Sequence, residues 1–302
     1  MSKIHLLDRR RSRWRVYLHL GRVSNLPTVW TNSLAGIILS GGGLEGVTLV
    51  LLLSALSLFY TGGMFLNDAF DYQWDQESRP ERPIPAKEIS LREVLTAGLS
   101  MLILGEGLLA LPALLQAKLP NLEVMSWGLI LGSLIIYYNY RHKKDPLSPL
   151  VMALCRAMVY LISAAAVASA LIAQVLTGAG ILAAYMVGVT HVAKQESLKE
   201  LKNFWPLGCL LAPFIYTFVL LPRRDVYSLI YFLFLAWVIY AISLLLRKRG
   251  RDIGGTVVRL IAGISLVDAV LIGTGSGQVA WGGAALAGFL LTLFFQRYIP
   301  GT

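Results

Sequence analysis

The chain has 302 residues, of which 56% are hydrophobic and only 15% charged, with a mean hydropathy of +0.64. That balance excludes a soluble domain with a polar coat, and lipid must be the main solvent. The net charge is +10, from 27 Lys and Arg against 17 Asp and Glu. Its confinement to short clusters beside apolar runs excludes a nucleic-acid-binding surface.

Taken in order, the chain opens on a basic arm containing Arg9, Arg10, Arg11, Arg13 and Arg15, suited to anionic lipid headgroups. This arm lacks the pattern of a cleaved signal peptide, so the first apolar run is expected to be the anchor. Apolar runs long enough to cross about 30 Å of hydrocarbon as helices then recur almost to the end. They fall near 28–42, 47–66, 91–115, 124–140, 149–175, 179–193, 204–221, 226–246, 255–273 and 279–296. The expected fold is therefore all-α, a polytopic membrane helical bundle of nine or ten transmembrane helices in a single domain over residues 1–302. Cys155 and Cys209 lie inside predicted helices without paired spacing and read as packing residues. Gly36, Gly98, Gly188 and Gly263 read as positions of close helix approach.

The clusters Arg9 to Arg15, Arg141 to Lys144, Lys194 to Lys202 and Arg247 to Arg251 fall on one side when crossings alternate. The positive-inside rule makes that side, and the N-terminus, cytoplasmic. Arg223 and Arg224 fall on the opposite side and vote against it.

The chemistry is concentrated after the second run, in Asn67-Asp68-Ala69-Phe70-Asp71-Tyr72-Gln73-Trp74-Asp75, followed by Arg79-Pro80-Glu81-Arg82-Pro83-Ile84-Pro85. Carboxylates at i, i+3 and i+7 fall within about 60° on a helix, so Asp68, Asp71 and Asp75 share one face at the end of a span. Like charges so close to lipid require a cation or a cluster of Arg and Lys. Mg²⁺ is the natural candidate, being a hard ion held by one or two carboxylates together with substrate phosphates. The bland alternative is a solvated acidic helix end paired with Arg79 and Arg82.

This stretch resembles the first aspartate-rich motif of the UbiA prenyltransferase superfamily, N-D-x-x-D-x-x-x-D followed by R-P-[IL]-P. The helix entry Asn25-Leu26-Pro27-Thr28 and the spacing of the runs add to the resemblance. It implies a helical bundle around a lipid-facing cavity, with Mg²⁺ bridging two acidic motifs and a prenyl diphosphate. It also implies transfer of the isoprenoid to an aromatic or other small acceptor. On that pattern Asp68, Asp71 and Asp75 hold metal, Asn67 completes the site and Arg82 pairs with phosphate oxygens.

The second motif departs from the family's D-x-x-x-D. The chain reads His191-Val192-Ala193-Lys194-Gln195-Glu196-Ser197-Leu198-Lys199-Glu200, with no aspartate. Glu196 and Glu200 keep the i, i+4 spacing of a glutamate version of the second metal site. The same residues also suit an amphipathic loop helix bridged to Lys199 and Lys202. Together with Pro149-Leu150-Val151-Met152-Ala153-Leu154-Cys155-Arg156, this stretch resembles the UbiA-like EboC subgroup, which implies a role in secondary metabolism.

Lys143, Arg156 and Lys194 join the candidate substrate-binding residues. Lys143 and Lys144 also suit an ordinary positive-inside loop, and Arg156 stands inside an apolar run near its start, where it can snorkel. Arg259 and Asp268 share one late run and are expected to face the bundle interior. His191 is a candidate proton acceptor, while Trp30 and Trp74 fit an interfacial belt. The expected function is Mg²⁺-dependent intramembrane prenyl transfer. The alternatives are a transferase using another diphosphate donor, such as a phosphoribosyl one, and a non-catalytic prenyl-lipid binder or transporter.

Overall fold

A computed structural model describes residues 12–43, 46–117, 121–168, 172–196, 205–220, 225–247 and 252–301. Within them the chain forms helices and no strand, as expected where lipid offers the backbone no partners. The α-helices are α1 (Arg13–Leu20), α2 (Leu26–Leu39), α3 (Gly46–Phe70), α4 (Tyr72–Ser78), α5 (Leu91–Leu115) and α6 (Leu122–Arg141). They continue as α7 (Ser148–Ala165), α8 (Ala173–Glu196), α9 (Ala212–Leu220), α10 (Asp225–Leu245), α11 (Ile253–Ser276) and α12 (Val279–Gln296).

Among the described residues, 8 helices are long and apolar enough to cross a membrane: α3, α5, α6, α7, α8, α10, α11 and α12. The chain is an integral, multi-pass membrane protein. All the expected runs coincide with helices, but some are shorter than hydropathy suggests. The run at 28–42 is the 14-residue α2, and the run at 204–221 is a 3-10 segment, Trp205–Leu211, followed by the 9-residue α9. The run at 149–175 is divided between α7, which ends at Ala165, and the opening of α8 at Ala173.

For α2 and α7 the reason is enclosure. Helix α2 carries Thr28, Thr31, Asn32 and Ser33, all buried by neighbouring helices, so it need not match the thickness of the hydrocarbon. Helices α7 and α11 are likewise largely enclosed, whereas α5, α6, α10 and α12 present side chains such as Ile103, Leu129 and Leu229 outward. Those outward faces are the lipid-facing rim.

Small residues set the closest contacts. A Cβ on Gly36 of α2 would lie 2.5 Å from the carbonyl oxygen of Tyr160 in α7, and one on Gly62 of α3 would lie 2.8 Å from the carbonyl oxygen of Gly98 in α5. Both helix pairs therefore meet at backbone-to-backbone distance, and Gly36 and Gly98 are packing positions as expected. Gly263 faces the Tyr185 hydroxyl, 2.6 Å from where its Cβ would stand.

Helix starts are capped where the sequence provides acceptors. Ser90 accepts from the Glu93 amide at 3.1 Å, Asn121 from Glu123 at 3.0 Å, and Asp252 from Gly255 at 2.7 Å. The Glu93 side chain receives both Arg13 and the Tyr17 hydroxyl, which moors α1 to the start of α5. The C-terminal end returns to the same level: Gln296 donates to Asn25 Oδ1 at 3.0 Å, and Asn25 donates to the Gly301 carbonyl at 2.8 Å. One end of the bundle thus gathers the entry to α2, the end of α3, the start of α5, the α6–α7 turn and the end of α8.

Candidate functional site

At that end the acidic motif folds almost as the periodicity predicts. The helical hydrogen bonds run through it, Asp71 N to Asn67 O at 3.0 Å and Asp75 N to Asp71 O at 2.9 Å, although α3 closes at Phe70 and α4 opens at Tyr72. The three aspartates share a face, but their partners divide: Asp68 and Asp75 share Arg82, whereas Asp71 is held by Lys143 and His142. Arg82 Nη1 donates to both Asp68 Oδ1 and Asp75 Oδ2 at 3.1 Å, and Arg22 Nη2 donates to Asp68 Oδ1 at 3.4 Å. Lys143 Nζ lies 2.7 Å from Asp71 Oδ1, with His142 Nε2 at 3.5 Å from the same oxygen.

These pairings set the electrostatics. Burial works to raise the Asp71 pKa, but hydrogen bonds from His142 and Lys143 outweigh it and hold that carboxyl below its ordinary value. Asp75 moves the other way, raised by burial and by the charges of Asp71 and Asp68 against the pull of Arg82. Burial opposes the charge on Arg82, but the surrounding carboxylates raise it above its ordinary value.

A cavity of about 600 Å³ opens from this cluster into the bundle. Its mouth is lined by Arg22, Asp71, Asp75, Arg82, Lys143 and Lys194, and its deeper wall by residues such as Leu56, Phe59, Leu131 and Val159. Leu56, on α3, lies fifteen residues before Asp71, roughly 22 Å along the axis at about 1.5 Å per residue. The cavity therefore joins a charged mouth to an apolar slot, and its volume falls in the range of about 300–1,000 Å³ usual for small-molecule sites.

Of the candidate metal- and substrate-binding residues whose side chains are described, all except Asp68 line this cavity, whereas the candidate proton acceptor His191 is not part of its lining. Asn67 donates to Asn139 Oδ1 at 3.1 Å and accepts from Arg22 at 3.3 Å. Lys143 also lies over the Trp74 ring, 4.4 Å from its centroid, and Lys194 donates to the Asp145 carbonyl at 2.8 Å and Ser148 Oγ at 3.1 Å. Arg156 stands farther in. Glu196 ends α8, but its side chain lies outside the described residues, as does Glu200.

Asp268 is fully enclosed as expected, but it bonds Asn32 and Tyr160. Arg259 is only half-buried, donates to the Gly255 carbonyl at 2.8 Å and faces the Tyr240 ring. The two residues do not share an interior face. Sequence reasoning missed Arg22, His142 and Asn139, which surround the acidic motif from α6 and from the bend before α2. Arg22 adopts a left-handed backbone conformation, φ 43°, that brings its side chain back over Asn67 and Asp68.

The residues present fit a hard divalent cation in their chemistry. Asp71 and Asp75 are carboxylates on the cavity wall, and Asp75 Oδ1 is buried with no hydrogen-bond partner among the described residues, an atom that calls for a cation or a donor. As placed, no three His, Cys, Asp or Glu side chains among the described residues converge on one point. Arg82 occupies the space between Asp68 and Asp75.

Fold and cavity define an all-helical membrane protein with an acidic and basic mouth on an intramembrane slot. The chain belongs to the UbiA prenyltransferase family, whose model matches residues 28–300. It is 33% identical over 132 residues to a digeranylgeranylglyceryl phosphate synthase of Methanothrix thermoacetophila, covering 43% of this chain and 46% of that protein. A second protein of that name, from Methanothermobacter thermautotrophicus, is 43% identical over 96 residues, covering 32% of this chain and 31% of the relative. The chain thus spans less than half the length of these curated relatives. Among solved structures, a UbiA homologue from Archaeoglobus fulgidus bound to DMAPP and Mg²⁺ superposes with a TM-score of 0.61 at 18% identity, covering 87% of this chain and 99% of that one.

Proposed function

We propose that the protein is a Mg²⁺-dependent intramembrane prenyltransferase, with an allylic prenyl diphosphate as donor. The observation that carries this reading is the pairing of Asp71 and Asp75 with basic side chains at the mouth of a slot that turns apolar within its depth. A prenyl diphosphate has the same polarity profile, anionic at one end and hydrocarbon along the rest. The relatives named above are by name synthases of digeranylgeranylglyceryl phosphate, and the Archaeoglobus homologue is bound to DMAPP and Mg²⁺.

Asp71 and Asp75 would hold the metal, with Asp68 joining when Arg82 turns from it to the diphosphate. Mg²⁺ when bound supplies charge neutralisation for the departing diphosphate. Arg82, Arg22, Lys143 and Lys194 supply further positive charge at the mouth, and Arg82 offers a planar fork to phosphate oxygens. Leu56, Phe59, Leu131 and Val159 would take the isoprenoid tail along the depth of the slot and keep water from it. Glu196 and Glu200 are proposed as the second acidic pair. The mouth carries Arg13, Arg15, Arg141, Lys143, Lys144 and Lys194 nearby, which supports placing it, and the N-terminus, on the cytoplasmic side.

A second reading, a prenyl-lipid carrier, is favoured by one observation: Arg82 already neutralises two of the aspartates. Release of diphosphate from a panel of prenyl diphosphates separates the two, using protein in lipid nanodiscs with Mg²⁺ or EDTA. Release that needs Mg²⁺ and is lost in Asp71→Asn supports the enzyme. Saturable binding with no release, with acceptor-bearing lipid extract added, establishes the carrier.

A further inference from the structure

Arg156 lines the cavity but stands apart from the mouth. It follows Ser148 by eight residues on α7, roughly 12 Å deeper along the helix at about 1.5 Å per residue. Tyr60, whose ring lies 5.4 Å from its guanidinium carbon, is eleven residues before Asp71 on α3, roughly 16 Å by the same rise. A diphosphate held at Asp71 and Asp75 does not reach so deep. Arg156 is only 8% exposed, and its hydrogen bond among the described residues runs from Nη1 to a neutral amide, Asn32 Oδ1, at 3.0 Å.

That amide is itself fixed. Asn32 donates to both oxygens of the fully buried Asp268, at 3.0 and 2.9 Å, and the Tyr160 hydroxyl donates to the same carboxylate. Asp268 thereby orients Asn32, and Asn32 holds one edge of the guanidinium. The remaining N–H groups of a five-donor fork are left without a carboxylate partner among the described residues, inside the low-dielectric part of the bundle. Its charge is offset only at one remove, by Asp268 behind Asn32, so among the described residues the donors of this cavity-lining guanidinium remain available to a ligand of opposite charge.

We propose that Arg156, braced by Asn32 and Asp268, is a second anion subsite that receives the carboxylate or phosphate of the acceptor. That the anion belongs to an acceptor rests on the prenyl-transfer reading; the subsite itself does not. Tyr60 forms one wall of the subsite, and Asn32 is a positioning residue.

The test is binding without turnover, so its failure is distinguishable from failure of the transferase reading. Full-length protein in nanodiscs, in EDTA, is titrated with benzoate, phenyl phosphate and the neutral isostere benzamide while thermal unfolding is followed by tryptophan fluorescence. At least one anion is expected to raise the unfolding temperature saturably, and benzamide is not. Stabilisation by benzoate alone assigns a carboxylate acceptor, and by phenyl phosphate alone a phosphate acceptor. Arg156→Gln is expected to weaken the anion about 10- to 100-fold, the loss of charge-assisted hydrogen bonds. Asp71→Asn is expected to keep anion binding while losing Mg²⁺-dependent stabilisation by geranyl diphosphate. Equal stabilisation by benzamide, unchanged affinity in Arg156→Gln, or loss of anion binding in Asp71→Asn overturns the proposal. Should Arg156→Gln fail to fold, Arg156→Lys decides, because loss of the planar fork must weaken the anion and unchanged affinity refutes the assignment.

Discussion

Arg82 and Asp75 are joined through one carboxylate oxygen only: Nη1 meets Oδ2 at 3.1 Å, while Oδ1 is buried without a partner among the described residues. The same Nη1 also holds Asp68 at 3.1 Å, so one guanidinium stands where a metal would compensate both charges. Arg82→Ala is therefore expected to destabilise the metal-free protein by about 3 kcal/mol, the scale of an uncompensated buried charge. Mg²⁺ should recover more stability in this variant than in the wild type, since it replaces the missing cation. Unfolding curves with EDTA and with Mg²⁺ check this, and an equal Mg²⁺ effect in the two proteins refutes it.

Arg22 separates backbone strain from binding. Its φ of 43° is unfavourable for a side chain with a Cβ, while its guanidinium bonds Asn67 and Asp68. Arg22→Gly and Arg22→Ala remove the same bonds, but only glycine relieves the strain. The glycine variant should be the more stable of the two by about 1 kcal/mol, with donor affinity equally reduced in both. Chemical denaturation alongside prenyl diphosphate binding measures both quantities, and equal stability of the two variants contradicts the strain argument.

The parts of the site that were legible in the sequence are those built from local spacing. Asp68, Asp71, Asp75 and Arg82 lie within fifteen positions, so helical periodicity and a following Arg-Pro turn suffice to group them. Arg22, Asn139 and His142 reach the same cluster across the fold, Asn139 bonding Asn67 from 72 residues away and Arg22 doing so from 45. No periodicity encodes such pairs. Arg156 could be flagged by its cost inside an apolar run, but the Asn32 that holds it is 124 residues distant. Hydropathy likewise marked α2 as a full span because it reports apolar content, not whether lipid or protein surrounds the helix. The polar residues Thr28, Thr31, Asn32 and Ser33 were the available sign of enclosure.

Gly36 tests how tightly that enclosure is made. Its Cβ position falls 2.5 Å from the Tyr160 carbonyl oxygen and 3.0 Å from Tyr160 Cα, backbone atoms that cannot swing aside as a side-chain tip does. Gly36→Ala should cost about 1–3 kcal/mol, the range for overpacking, and should disturb the wall carrying Tyr160 and Arg156. Gly180→Ala, where a Cβ meets nothing within 4 Å, is the matched control and should be neutral or slightly stabilising. Comparable losses in the two variants would show that α2 and α7 are not in close contact.

Lys143 meets Asp71 at 2.7 Å and the Trp74 ring at 4.4 Å, yet its side chain remains 37% exposed. Solvent screening makes its contribution to folding small, about 0–1 kcal/mol, and the unfolding temperature of Lys143→Ala should barely change. Its effect on the donor should be larger, because the bound diphosphate adds negative charge where this cation lies and excludes water from around it. A charge-assisted hydrogen bond is worth about 1.5–3 kcal/mol, so KM for the prenyl diphosphate should rise about 10- to 100-fold in Lys143→Ala. Lys143→Arg should restore most of that loss, which a purely steric role would not predict. Steady-state kinetics over a donor series decides it: an unchanged KM means that Lys143 serves the loop and Asp71 alone.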